Sequence, residues 1–169
     1  MIRVATMADV PALHALVEAA FRGESARGGW THEADLLDGQ RTDRAALAEV
    51  MTDPDRTILM TDDATGCVQV SQIAPDRAAL GLLAVRPDVQ AGGLGRRLVR
   101  AAEDHAVRIY GARRMEMTVI AVRDELIAWY ARQGYCRTGE IRPFPMDDPR
   151  FGLPRQPLSF VVLERSLPR

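Results

Sequence analysis

Between Leu82 and Arg97 the chain runs from an apolar strand-like segment, through a proline and a cluster of glycines, into an amphipathic helix. Leu82-Leu83-Ala84-Val85-Arg86-Pro87 reads as the end of a strand, and Gln90-Ala91-Gly92-Gly93-Leu94-Gly95-Arg96-Arg97 as the opening of a helix. Glycines let backbone N–H groups approach a phosphate closely, the helix start adds unsatisfied donors and a positive dipole end, and Arg96 and Arg97 add charge. The loop therefore suits a phosphate-bearing ligand, although the same glycines also serve a plain strand-to-helix turn. A Walker A loop needs Gly-Lys-Ser or Gly-Lys-Thr at its end, whereas Gly95 is followed by Arg96-Arg97. A dinucleotide fingerprint over Gly93-x-Gly95-x-x-Leu98 lacks its third small residue and follows several strands expected to be antiparallel.

The rest of the chain reads as alternating strands and helices around that loop. A strand over Ile2 to Ala5 leads to Thr6 and Asp9 at capping spacing, and Val10, Leu13, Val17, Ala20 and Phe21 then recur at helical intervals. Arg22 to Arg41 contains four glycines and reads as loop, with a short helix over Glu33 to Leu37. Thr42 is placed to cap a second helix through Met51, stopped by Asp53-Pro54. Thr57 to Thr61 and Cys67 to Ala74 form a hairpin around a turn ending in Gly66, followed by a strand over Ala78 to Arg86. The longest helix runs from Leu94 to Gly111. A strand over Arg114 to Val122, a helix over Asp124 to Gln133 and an extended run from Tyr135 follow. Pro143 to Pro157 holds five prolines and reads as a long loop, and Leu158 to Leu167 closes the chain as an apolar strand. The order β, α, α, β, β, β, α, β, α, β, β, with no repeat and no linker, predicts one mixed α/β domain over residues 1–169.

Composition removes several classes of function. A formal net charge of −1 gives no basic surplus for nucleic acid, and no apolar run reaches the roughly 18 residues that would span a bilayer. The start has no apolar leader, which predicts a cytoplasmic protein. Cys67 and Cys136 are too few for a disulfide framework and have no neighbours at metal-ligand spacing, so both are expected as buried thiols and no metal site is expected.

Gln90-x-x-Gly93-x-Gly95, preceded by Leu83-x-Val85-x-Pro87, resembles the Q/R-x-x-G-x-G/A signature of the GNAT acetyltransferase family. Tyr130-x-x-x-Gly134-Tyr135 resembles that family's Tyr-x-x-x-Gly-Phe element, with Tyr135 in place of the usual Phe. The resemblance implies a single GNAT domain, with a mixed, mostly antiparallel sheet splayed between its fourth and fifth strands and flanked by helices. It also implies acetyl-CoA as co-substrate, with Leu83, Ala84 and Val85 along the pantetheine arm. Gln90, Ala91, Gly92, Gly93, Leu94, Gly95 and Arg96 would surround the pyrophosphate. By family position, Tyr130 would be the acid that protonates the departing thiolate. Where the family often has Asn, seven residues before the Tyr, this chain has Arg123.

The implied reaction is N-acetylation of a primary amine, expected to be that of a small molecule, by direct attack in a ternary complex. The alternatives are a non-catalytic acyl-CoA sensor and a protein N-acetyltransferase; the latter would need an open groove that the Pro143 to Pro157 loop is long enough to obstruct. A general base is not evident: Glu116 on the fifth strand, and His32 and Glu33 before the second helix, are the candidates, with Trp30 beside them for acceptor contact. Acids at Glu24, Glu33, Asp35 and Asp38 would draw a cationic amine, whereas Arg142, Arg150 and Arg155 would draw an anionic group. The apolar stretch Leu158 to Leu163 offers an edge for pairing in a homodimer.

Overall fold

The structure, a computed structural model, describes residues 1–21, 37–38, 42–90, 92–145 and 153–168. Strand β1 (Ile2–Val4) leads into helix α1 (Val10–Phe21). At the entry Asp9 accepts hydrogen bonds from the Thr6 N–H at 2.8 Å and from both terminal nitrogens of Arg3 at 2.8 and 2.9 Å. Arg3, and then the Thr6 N–H, hold the Asp9 carboxyl well below the usual range. Helix α2 (Arg44–Thr52) is capped by Asp43, whose Oδ1 accepts from the Ala46 N–H at 2.7 Å. The expected cap, Thr42, does something else: its N–H donates to Glu18 of α1 at 2.9 Å, fastening the two helices together. Both residues are good caps by type, and the register of the first turn selects Asp43.

β3 (Arg56–Thr61) and β4 (Gly66–Ala74) form the predicted hairpin, and β5 (Arg77–Val85) runs back beside β4. Helix α3 (Leu94–Tyr110) follows the glycine loop and stops at Gly111. Then come β6 (Arg114–Ile120), α4 (Asp124–Arg132), β7 (Cys136–Pro143) and β9 (Ser159–Ser166). Two short strands, β2 (Leu37–Asp38) and β8 (Leu153–Pro154), pair antiparallel. Leu37 is thus a strand residue and not the end of a helix, and the proline-rich loop contributes a strand of its own. Residues 33–36 of the expected short helix lie outside the described residues.

The large sheet has the order β1-β3-β4-β5-β6-β9-β7, and only its β5–β6 pair is parallel. That pair is short: Arg77, Ala78 and Ala79 face Arg114, Met115 and Glu116, and the ladder ends there. These are the fourth and fifth strands of the large sheet in chain order, so the splay falls where the family resemblance implied. β9 lies between β6 and β7 and has no free edge, which rules out Leu158 to Leu163 as a strand that pairs across a dimer. The outer edge on that side is β7, and Cys136 at its start is exposed, so of the two thiols only Cys67 is buried as expected.

A bulge in β5 lets one strand serve two cores. Ala78 and Leu80 pack with α3, β6 and β9, whereas Leu82 and Ala84 pack with α1 and α2. Strict alternation would keep all four on one face. The switch occurs at Leu82, which has φ 52, and between Cys67 and Gln69 the β4 partner shifts from Ala84 to Gly81. Leu83 and Val85 consequently turn toward the α3 core.

Behind that core, Tyr135 donates its hydroxyl to Glu103 at 3.3 Å, and Arg165 donates to both Glu103 oxygens at 2.9 and 2.8 Å. This trio joins α3 to β9 and accounts for the tyrosine at a position the family pattern gives to Phe: its buried hydroxyl has a carboxylate to bond. Tyr135→Phe should therefore cost only about 1 kcal/mol. Glu103→Leu, which strands a half-buried Arg165, should cost about 2 kcal/mol or more. Urea denaturation of the two variants checks the order.

Candidate active site

Past Ala79 and Glu116 the parallel strands separate, and a cavity of about 400 Å³ fills the gap. Such a volume is typical of a small-ligand site. On β6, Met117, Thr118, Val119 and Ile120 all line it; Met117 and Val119 belong to the α3-side core, and Ile120 to a separate cluster with Phe144 and Leu158. Ala20 and Phe21 at the end of α1 reach it from the other face. The cavity therefore passes through the sheet and has walls from both of its faces.

The β5 side of the gap is a strand edge without a strand partner from Leu80 onward. Backbone donors and acceptors on such an edge are available to an extended ligand that carries amides. The Val85 carbonyl accepts from Gln90 Nε2 at 3.0 Å, which folds the Gln90 side chain back onto the strand end. Gly93, with φ +82, caps α3 in the left-handed region that favours glycine, and its carbonyl accepts from the Arg97 N–H at 3.2 Å. Gly95 packs closely: a Cβ there would lie in contact, 3.4 and 3.5 Å from two ring carbons of Trp129, with no room for a larger side chain in that direction. The first turn of α3 thus rests on the indole, and its free N–H groups end at the cavity, where Arg96 also lies.

Tyr130 lies in the last two turns of α4. Its ring is 5% exposed, packs edge-on against Trp129 with centroids 5.0 Å apart and against Tyr135 at 6.1 Å, and borders the cavity. Burial pushes the phenol well above its ordinary pKa, while the charge of Arg123 pulls it in the opposite direction. Arg123, just before α4, is itself 5% exposed and lines the same cavity. Its place seven residues before Tyr130 puts the two on one side of the helix.

Of the residues singled out from sequence, Leu83, Val85, Gln90, Gly93, Leu94, Gly95, Arg96 and Tyr130 line the cavity. Ala84 is buried toward the α1 core, so only its backbone belongs to the strand edge, and Gly92 lies in the loop beside the lining residues. Ala91, Trp30, His32 and Glu33 lie outside the described residues. Glu116 does not line the cavity. It sits opposite Ala79 at the closed end of the split, 3% exposed, with Arg142 at 2.9 Å and Arg77 at 3.4 Å on its two oxygens. Sequence reasoning passed over Trp129 and the β6 residues Met117 to Ile120. The i+34 spacing of Trp129 from Gly95 carries no local signal; their contact arises only when α4 packs on α3. Among the described residues no group of three or more His, Cys, Asp or Glu side chains is placed to hold a metal ion, and no helix is long and apolar enough to cross a membrane.

Residues 12–135 match the acetyltransferase (GNAT) family, and the chain belongs to it. It is accordingly an acetyl-CoA-dependent acyltransferase, and the split sheet, glycine loop and buried tyrosine are compatible with that co-substrate. Similar solved structures include the ribosomal-protein-S18-alanine N-acetyltransferase of Escherichia coli, with TM-score 0.68 and 19% identity over 100% of this chain and 94% of that one. A protein from Salmonella typhimurium whose structure holds its cofactor acetyl-CoA has TM-score 0.68 and 18% identity over 100% and 94% of the two chains. A mutant spermidine N-acetyltransferase from Vibrio cholerae has TM-score 0.67 and 14% identity over 98% and 94%. At these identities the likeness is one of fold. No curated protein sequence matches the chain.

The Gly95 contact makes a direct test. Acetyl-CoA at 100 times its dissociation constant should stabilise the wild type by about 2.7 kcal/mol, and NADH or ATP should not. Gly95→Val, whose branches would push against Trp129, should lose most of that stabilisation in a thermal melt.

Proposed function

We propose that the protein transfers an acetyl group from acetyl-CoA to the primary amine of a small molecule, by direct attack within a ternary complex. The observation that carries this reading is the cavity that crosses the sheet at the split, since donor and acceptor can enter from opposite faces and meet between β5 and β6. Its volume also suits a small acceptor better than a protein surface. The comparison structures include proteins named for acting on a ribosomal-protein alanine and on spermidine, so the fold itself is neutral on the acceptor.

Acetyl-CoA, when bound, supplies an acetyl thioester already activated for acyl transfer. The backbone of Leu83, Ala84 and Val85 holds its pantetheine arm, and the N–H groups of Gln90 to Arg96 bind its pyrophosphate. These contacts fix the carbonyl in line with the amine, and such positioning is a large part of catalysis in a reaction that needs no covalent enzyme intermediate. The amine nitrogen attacks the carbonyl carbon, the C–N bond forms, and the C–S bond breaks with its electron pair on sulfur. Tyr130 gives its proton to that sulfur. The nitrogen releases a proton to water, and water returns one to the Tyr130 oxygen.

The raised pKa of Tyr130 has a definite sign. Elevation favours the protonated phenol, so the acid form persists at every pH below the ordinary value of 10.0 and beyond it. Turnover should therefore show no alkaline fall attributable to this group below that pH. Tyr130→Phe should lower kcat by about 10²-fold and leave acetyl-CoA affinity nearly unchanged, measured by thiol release and by calorimetry. Equal turnover in the two proteins would remove Tyr130 as the acid.

A further inference from the structure

Gly81 lies inside β5, where a glycine weakens the strand and contributes no packing. It stands beside the bulge, but neither a positive φ nor a close neighbour requires a glycine there. Its φ is not among the positive values that occur at Gly93, Gly111, Gly134 and Gly139, and a Cβ built on it would meet nothing within 4 Å. Gly81 nevertheless borders the cavity and is exposed to it. As the neighbour of Leu80 and the residue before the bulge, it faces away from the α3 core and toward the α1 side, opposite the face that carries the glycine loop. The space over Gly81 is therefore on the side left for the acceptor.

The walls around that space have a definite chemistry. Phe21, Leu82, Ile120 and Phe160 line the cavity with apolar surface, Thr118, the residue after Met117 on β6, adds one hydroxyl, and Arg123 and Gln133 also border the cavity. No Asp, Glu, His or Lys is among the described lining residues. A second ammonium group, as on a polyamine, would find no carboxylate among the described lining residues, and desolvating it against this apolar surface is unfavourable.

We propose that Gly81 determines acceptor specificity, the room it leaves open receiving the apolar body, aliphatic or aromatic, of a primary monoamine. This rests on the acetyl-transfer reading above. The missing side chain is what the ligand replaces, so refilling the space should exclude the ligand while leaving the fold and the acetyl-CoA loop intact.

The test uses the full chain, acetyl-CoA and a thiol-release assay, with phenethylamine and isoamylamine against spermidine and glycine as acceptors. For the wild type, kcat/KM for one of the two apolar amines should exceed that for spermidine and for glycine by about tenfold or more. Gly81→Leu should reduce the apolar-amine value by about tenfold or more, and Gly81→Ala by less, with the melting temperature not lowered and its acetyl-CoA-induced rise unchanged in both. A preference for spermidine or glycine in the wild type overturns the proposal without recourse to any variant. Unaltered apolar-amine kinetics in Gly81→Leu overturn it as well, as does a lost acetyl-CoA response in Gly81→Ala, which would assign the space to the donor. Release of thiol with none of the four amines, while acetyl-CoA still stabilises the protein, removes the transfer reading and this inference together.

Discussion

Three residue pairs hold β5 to β6, and everything functional in the molecule follows from the ladder stopping there. A parallel pair that continued would satisfy its own backbone groups and close the sheet. Because it stops at Ala79 and Glu116, the following strand residues present N–H and C=O groups to a cavity rather than to a neighbouring strand. Leaving such groups buried without partners would cost about 1–3 kcal/mol each, which favours water or an amide-bearing ligand in the gap. The split is therefore both a weakness in the sheet and the source of its binding capacity.

The bulge at Leu82 is what makes the split affordable to the two cores. With regular alternation, Leu82 and Ala84 would face α3 as Ala78 and Leu80 do, and Leu83 and Val85 would be left to face α1. The positive φ at Leu82 turns Leu82 and Ala84 to α1 and α2 and gives Leu83 and Val85 to the α3 side. A non-glycine residue in that region carries strain on the order of 1 kcal/mol, small beside the burial of the leucine side chain it permits, about 1.5–3 kcal/mol. At the closed end of the split the ion pairs of Glu116 with Arg77 and Arg142 tie β5, β6 and β7 together. The strands thus part on one side of a fixed point.

Much of this was legible before any coordinates, and the divisions are physical. The helices were legible because burial on one face imposes a period, and the glycine loop because few other residues tolerate the left-handed geometry at Gly93. The bulge had no such signal, because β5 from Ala78 to Val85 is apolar or glycine at every position and shows no alternation to be broken. The β2–β8 pair had none, since a contact of two residues on each strand between distant loops leaves no pattern in either. Glu116 was ambiguous for a related reason. Its partners depend on how β7 pairs with β9, where the register shifts between Arg137 and Ile141, and no local sequence rule sets that shift. Thr42 and Asp43 differ by one position in a turn that either could cap, and the bond from Thr42 to Glu18 is decided by tertiary packing.

The two faces of the cavity also divide the chemistry between residues that sequence can announce and residues it cannot. On the α3 side, a phosphate-bearing donor demands glycines, free N–H groups and a helix start, all of which occupy consecutive positions and so form a motif. On the α1 side, the wall proposed to meet an acceptor is made by Phe21, Gly81, Thr118 and Phe160, drawn from α1, β5, β6 and β9. These residues are brought together only by the order of strands in the sheet and by the bulge that fixes which way β5 faces. An enzyme built this way can change its acceptor by single substitutions on separate elements without disturbing the donor loop. That separation explains why family membership follows readily from the chain, while the acceptor has to be argued from the shape and charge of one wall.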